Sequence, residues 1–137
     1  MKKYFPKPVK TLVAIDGSLN NWLWLRKLKQ YINADNCHIT FIAVVKSPLM
    51  KAKAKKILDL ALNTMEQENI LYMHQESIVE VGDPAKKIVQ YAYDNYIDLV
   101  VVGSHNKTAV DRFFMGSVSS NVVVNAPVPV LVMKLSG

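Results

Sequence analysis

Five short runs rich in apolar, β-branched residues punctuate this chain, at 9–15, 38–45, 75–81, 98–102 and 128–133. Each of the first four is followed by a stretch of helical character. After the first run, Trp22, Leu25, Leu28 and Ile32 recur at helical spacing. Residues 49–68 carry Ala54, Ile57, Leu58, Ala61, Leu62 and Met65 on one side. Gly82-Asp83-Pro84 opens a third helix with the buried stripe Ile88, Tyr91, Ala92 and Tyr96, and 117–125 reads as a fourth. Strands that alternate with helices in this way form a parallel sheet covered by helices on both faces, with right-handed crossovers.

That architecture decides where a ligand binds. Doubly wound sheets take ligands at the carboxyl ends of strands where the strand order reverses. In a 3-2-1-4-5 order the crevice lies between strands one and four. The two glycine-containing turns that follow those strands, Asp16-Gly17-Ser18 and Gly103-Ser104-His105-Asn106, would then face one another. Small residues let backbone N–H groups approach an anion, and a helix start adds its positive dipole end. The helix that opens at Gly116-Ser117 therefore extends the candidate site to Val118 and Ser119.

Composition narrows the function. The chain has 137 residues, which suits one domain spanning 1–137, and no linker, repeat or low-complexity tract divides it. No apolar run approaches the roughly 18–20 residues of a membrane span. The basic N-terminus lacks the apolar core of a signal peptide. A single cysteine, Cys37, leaves no internal disulfide and fits a reducing cytoplasm. A net charge of +6 favours anionic ligands. Part of it sits in Lys51, Lys53, Lys55 and Lys56, which read as a solvated helix face, so nucleic acid is not the expected partner. His38 and His74 have no metal-ligand spacing, and Cys37 has no basic neighbour in sequence to activate it.

The segments Leu12-Val13-Ala14-Ile15-Asp16-Gly17-Ser18, Val81-Gly82-Asp83-Pro84, Leu99-Val100-Val101-Val102-Gly103-Ser104, Gly116-Ser117-Val118-Ser119 and Ala126-Pro127-Val128-Pro129-Val130-Leu131-Val132 resemble the universal stress protein family over nearly the whole length. The resemblance implies an α/β fold, a three-layer doubly wound five-stranded parallel sheet of order 3-2-1-4-5. It implies a homodimer through the fifth strand, with Val130 and Val132 on its apolar face. A nucleotide-binding subset of the family holds ATP through Gly, two residues, Gly, nine residues, then Gly and Ser or Thr. Here the spacing is kept from Gly103 to Gly116-Ser117, with Asn106 in place of the second glycine. Asparagine is the next-best residue at positive φ, yet its side chain stands where glycine would admit the phosphates.

The resemblance then implies a set of roles. Asp16 would lie by the adenosine, with Gly17 and Ser18 in the same turn; its alternative is a carboxylate that accepts backbone N–H bonds. Val44 would meet the base through its backbone, or serve only the core. Gly103, Ser104, His105, Asn106, Gly116, Ser117, Val118 and Ser119 would surround the phosphates, with Ser117 alternatively a helix cap. The ligand would be ATP or a related adenine nucleotide, ADP or AMP included, with Mg2+ only as its counter-ion. Two readings stay open: a stress-response regulatory protein that binds nucleotide, and a dimeric interaction module of the same family that does not.

Enzymes fit less well. The chain has neither a P-loop nor a Gly-x-Gly-x-x-Gly after strand one. No residue is placed as a base to activate water, so any ATP hydrolysis is expected to be slow and incidental. A phosphoacceptor receiver would need paired acids at the carboxyl ends of strands one and three. Strand three ends in Val79-Glu80-Val81-Gly82, and Asp98 belongs to the opposite end of strand four.

Overall fold

The computed structural model describes residues 7–15, 23–70, 74–104 and 116–134. Five strands, β1 (Val9–Ala14), β2 (Cys37–Val45), β3 (His74–Val81), β4 (Leu99–Ser104) and β5 (Val130–Lys134), form one sheet of order β3-β2-β1-β4-β5. Every pairing is parallel. Four α-helices connect them: α1 (Leu23–Leu28), α2 (Lys51–Gln67), α3 (Pro84–Asp94) and α4 (Ser117–Asn125).

The central strand shows why the apolar runs do not alternate with polar residues. Leu12 and Val13 are successive in β1, point to opposite faces, and are both fully buried. Val13 joins Phe41, Ile39 and Val101 with Leu25, Leu28, Leu58 and Met65 of α1 and α2. Leu12 joins Ile42 and Val100 with Ile88, Ala92 and Val122 of α3 and α4. A strand covered on both faces needs apolar residues at every position.

The boundaries depart from the sequence reading where local hydrogen bonding competes. Pro48 opens a one-turn 3-10 segment, Pro48–Met50, whose Leu49 N–H donates to Ser47 Oγ at 3.3 Å, and α2 begins only at Lys51. Helix α1, described from Leu23, ends at Leu28. It closes with tighter i→i+3 bonds from Gln30 to Lys27 and from Tyr31 to Leu28, although Ile32 still reaches the core. Strand β5 starts at Val130, not at 128. Pro129 has no N–H to give the ladder, but its carbonyl accepts from Val100 at 3.0 Å.

Two turns follow the expected chemistry. Asp83 caps α3, accepting from the Lys86 N–H at 3.0 Å, with Pro84 in the first helical turn. Gly82 has φ +149°, a backbone conformation that residues with a Cβ rarely adopt, so glycine is favoured there; the Lys87 side chain, the atom group a Cβ would meet, can swing aside. At the amino end of the sheet, Asp98 accepts from the Lys10 N–H at 2.9 Å and returns its own N–H to Lys10 O at 2.8 Å. Asp98 thus joins the starts of β1 and β4, away from the strand tips.

Cys37 is buried, and its thiol donates to Thr11 Oγ1 at 3.4 Å. Burial pushes the thiol pKa up, against a smaller opposing pull from that bond. A group that ionises later in the folded than in the unfolded chain stabilises fully below its unfolded pKa, about 8.5 for cysteine. That contribution is lost as pH rises through the folded value. The urea midpoint of the native chain should therefore fall between about pH 8 and pH 10 by more than that of Cys37→Ala. Phe41→Ala should cost about 3–5 kcal/mol in urea unfolding. Leu49, at 93% exposure, should tolerate alanine within about 0.5 kcal/mol.

Candidate functional site

Strands β1 and β4 are neighbours in register Thr11 to Leu99, Leu12 to Val100 and Val13 to Val101. Their carboxyl ends therefore emerge side by side. Ile15 extends β1 by donating its N–H to Ile42 O at 2.9 Å, which draws the tip of β2 to the same place. A cavity of about 140 Å³ opens there, walled by Ala14, Ile42, Val44, Ile88 and Val102 and reaching Gly103, Val118 and Ser119. A second cavity of about 320 Å³ shares Ile15, Val44 and Pro84 with the first and runs toward Ala54, with Lys46 and Lys53 in its lining. The floor is apolar because these residues are the ends of core strands. Polar groups enter only at the rim.

The start of α4 supplies that polar rim. The first bond of its ladder runs from the Ser120 N–H to Gly116 O at 2.9 Å. The N–H groups of Ser117, Val118 and Ser119 thus precede the ladder, at the positive end of the helix. Gly116 occupies the N-cap position, with no side-chain cap. Ser117 is the first helical residue, not the cap. Gly116 has φ −54° and ψ 157°, open to any residue, and no described atom lies within 4 Å of where a Cβ would stand. The fold around the described residues therefore does not require glycine here.

Ser119 behaves differently from an open phosphate donor. It is 6% exposed, and its hydroxyl donates to Gly103 O at 2.6 Å. The bond ties the first turn of α4 to the tip of β4 and satisfies a carbonyl at the end of the sheet. The hydroxyl proton is committed to that link, so Ser119 sets the distance between the two halves of the site.

The structure brings Val44, Gly103, Val118 and Ser119 onto one cavity and places Gly116 and Ser117 at its helix end. Ser104 continues β4 opposite Lys134. Asp16, Gly17, Ser18, His105 and Asn106 lie outside the described residues. Ile15, Pro84, Ile88 and Val102 complete the floor and were not singled out from sequence, where they read only as strand or helix residues. Lys53 was read as part of a solvated helix face; it is exposed, but it also lines the second cavity.

His38 and His74, unrelated by spacing, meet across β2 and β3 because the parallel register pairs them, with ring centroids 5.5 Å apart. Glu76 Oε2 lies 3.6 Å from His74 Nε2. Among the described residues no group of three or more histidine, cysteine or acidic residues is placed to hold a metal. No helix there is long and apolar enough to cross a membrane.

Stability measurements separate the two serines. Ser119→Ala should cost about 0.5–1.5 kcal/mol, because the part-buried bond to the Gly103 carbonyl is lost. Ser117→Ala, at an exposed position, should change stability by less than about 0.5 kcal/mol. Equal losses would contradict the link from Ser119 to Gly103.

Comparison with known proteins agrees with the fold and gives the family. The model of the universal stress protein family matches residues 9–134. The universal stress protein MJ0577 of Methanocaldococcus jannaschii is 37% identical over 84 residues, which is 58% of this chain and 51% of that protein. In these sequence matches the chain spans about half the length of the first curated relatives. The solved structure of MJ0577 superposes with a TM-score of 0.67 at 27% identity, covering 94% of this chain and 97% of that one. A universal stress protein solved in complex with cAMP superposes with a TM-score of 0.71 at 25% identity, over 94% of this chain and 98% of that one.

Proposed function

The chain belongs to the universal stress protein family, and on that premise we propose that it binds an adenine nucleotide at the tips of β1 and β4. It acts as a stress-response regulatory protein by binding and not by turnover. The observation that carries this reading is the pair of adjoining cavities, which share Ile15, Val44 and Pro84, apolar at the base, the first bounded at one rim by the N-terminal turn of α4. An adenine ring suits the apolar floor, and phosphates suit helix N–H groups. A structural neighbour at 25% identity was solved with cAMP, which supports the ligand class.

In this reading the base lies along Val44, and Asp16, with Gly17 and Ser18, faces the base or ribose, since a carboxylate would repel phosphate. Gly103, Ser104, His105, Asn106 and Gly116 surround the phosphates, with the N–H groups of Ser117 and Val118 directed to them. Ser119 positions that turn through Gly103. ATP, ADP or AMP would all fit, Mg2+ entering only as a counter-ion to the nucleotide. β5 is an edge strand of the sheet, and a homodimer through it, with Val130 and Val132 on its apolar face, completes the proposal. The buried free thiol of Cys37 supports a reducing compartment such as the cytoplasm. Asn106 at the second glycine position favours the other reading, a dimeric interaction module without nucleotide.

Titration calorimetry with ATP and Mg2+ decides between them. The native chain should bind, and Gly116→Val should keep its fold while losing at least about tenfold in affinity, near 1.4 kcal/mol. Asn106→Gly should bind as well as the native chain or better. At a ligand concentration of about one hundred times Kd, nucleotide should stabilise the chain by about 2.7 kcal/mol. No heat with either the native chain or Asn106→Gly would leave the interaction module. Unchanged affinity in Gly116→Val would remove the phosphates from the start of α4.

A further inference from the structure

The opposite end of the sheet carries a second recess. A cleft of about 540 Å³ lies between the C-terminal end of α3 and the segment entering β5, lined by Tyr93, Asp94, Tyr96, Asp98, Pro127 and Val128 among others. Tyr93 and Tyr96 are 71% and 83% exposed. Tyr96, expected on the buried stripe of α3, lies beyond the end of that helix instead, and both tyrosines line the same opening.

Tyr96 sits in an unusual backbone position. Helix α3 ends at Asp94 with Asn95 as its cap, and Tyr96 follows with φ +53°. The Ile97 N–H then turns back to Ala92 O at 3.1 Å. This is the left-handed helix-ending position that glycine or asparagine ordinarily fills. Tyrosine there bears a backbone cost, and with so exposed a ring, burial does not offset it.

The charge of the cleft is opposite to that of the chain. The protein carries 17 lysines and arginines against 11 acids, yet among the described residues the cleft lining holds two carboxylates and no basic residue. Asp94 accepts from the Gln90 side-chain amide at 2.8 Å, and Asp98 from the Lys10 N–H at 2.9 Å. Neither has an ion-pair partner among the described residues. The last turn of α3 contains no basic residue, so its negative dipole end adds to the same field. The Lys10 ammonium, on Asn95 O, is the nearby cation.

We propose that this cleft is a docking site for an arginine-bearing segment of a partner protein. A guanidinium stacks on exposed tyrosine rings and pairs with carboxylates through a planar fork. The room beyond one side chain, with Pro127 and Val128 as apolar wall, suits a polypeptide more than a free cation. The site lies at the amino ends of the strands, so it can be occupied independently of the nucleotide crevice.

The test uses the full chain, 15N-labelled, titrated with a capped peptide of alternating glycine and arginine and with its citrulline counterpart. The arginine peptide should shift the amide signals of residues 92–98 and Val128. The uncharged citrulline peptide should bind at least about tenfold more weakly. Tyr96→Gly should keep or raise the melting temperature, because it removes the left-handed cost, while weakening the peptide at least about fivefold. Asp94→Asn should weaken it and flatten its salt dependence. Unmoved signals at millimolar peptide, equal binding of the citrulline peptide, or unchanged affinity in Tyr96→Gly would each overturn the proposal. Shifts of the same amides on concentrating the chain alone would assign the cleft to a second copy and also overturn it.

Discussion

The pairing of β1 with β4 is the constraint on which the rest of the structure depends. Sequence order would leave these strands far apart; the register from Thr11–Leu99 to Val13–Val101 makes them neighbours. This is the point where the winding reverses, with β2 and β3 on one side and β5 on the other. The described helices before and after the reversal lie on opposite faces, so none of them covers the tips of β1 and β4. The cavity there is a consequence of topology before it is a property of particular side chains.

The same reversal explains the division of labour within the core. One cluster is closed by α1 and α2 and the other by α3 and α4. Both end at the strand tips, and Val44 and Ile15 belong to the walls of both cavities. Polar chemistry enters through α4, and the Ser119 hydroxyl fixes that helix to Gly103. A residue between a helix start and a strand end can hold the site together without touching a ligand.

Much of this was legible in the residues. The apolar runs mark the central strands β1, β2 and β4 because two-sided burial leaves little room for polar alternation, whereas β3, an edge strand with no buried residue, is marked only by Ile78, Val79 and Val81; residues 117–125 match the observed α4. Legibility failed where a local bond competed with periodicity. Pro48 and Ser47 delay α2, and Pro129 delays β5. The spacing from Trp22 to Ile32 predicts a helix that runs on to Ile32, whereas α1 ends at Leu28 and gives way to i→i+3 turns. Long-range register was not legible at all: His38 and His74 become neighbours only through the parallel pairing of β2 with β3. The role of Ser119 had a signal that went unused. It shares a helix face with Val122, three residues on, and both are buried, so its hydroxyl needed an internal acceptor. Asp16 and Asn106 fall outside the described residues, and their roles rest on resemblance alone.

The account stands on one placement, a nucleotide phosphate at the first turn of α4 between the tips of β1 and β4. A crystal structure of the native chain grown with a large excess of ATP and Mg2+ examines that placement most directly. The account predicts phosphate oxygens within hydrogen-bond reach of the Ser117 and Val118 N–H groups, with the adenine against Val44 and the bond from Ser119 to Gly103 intact. A crevice filled by the chain's own side chains, or a nucleotide bound elsewhere, would contradict it.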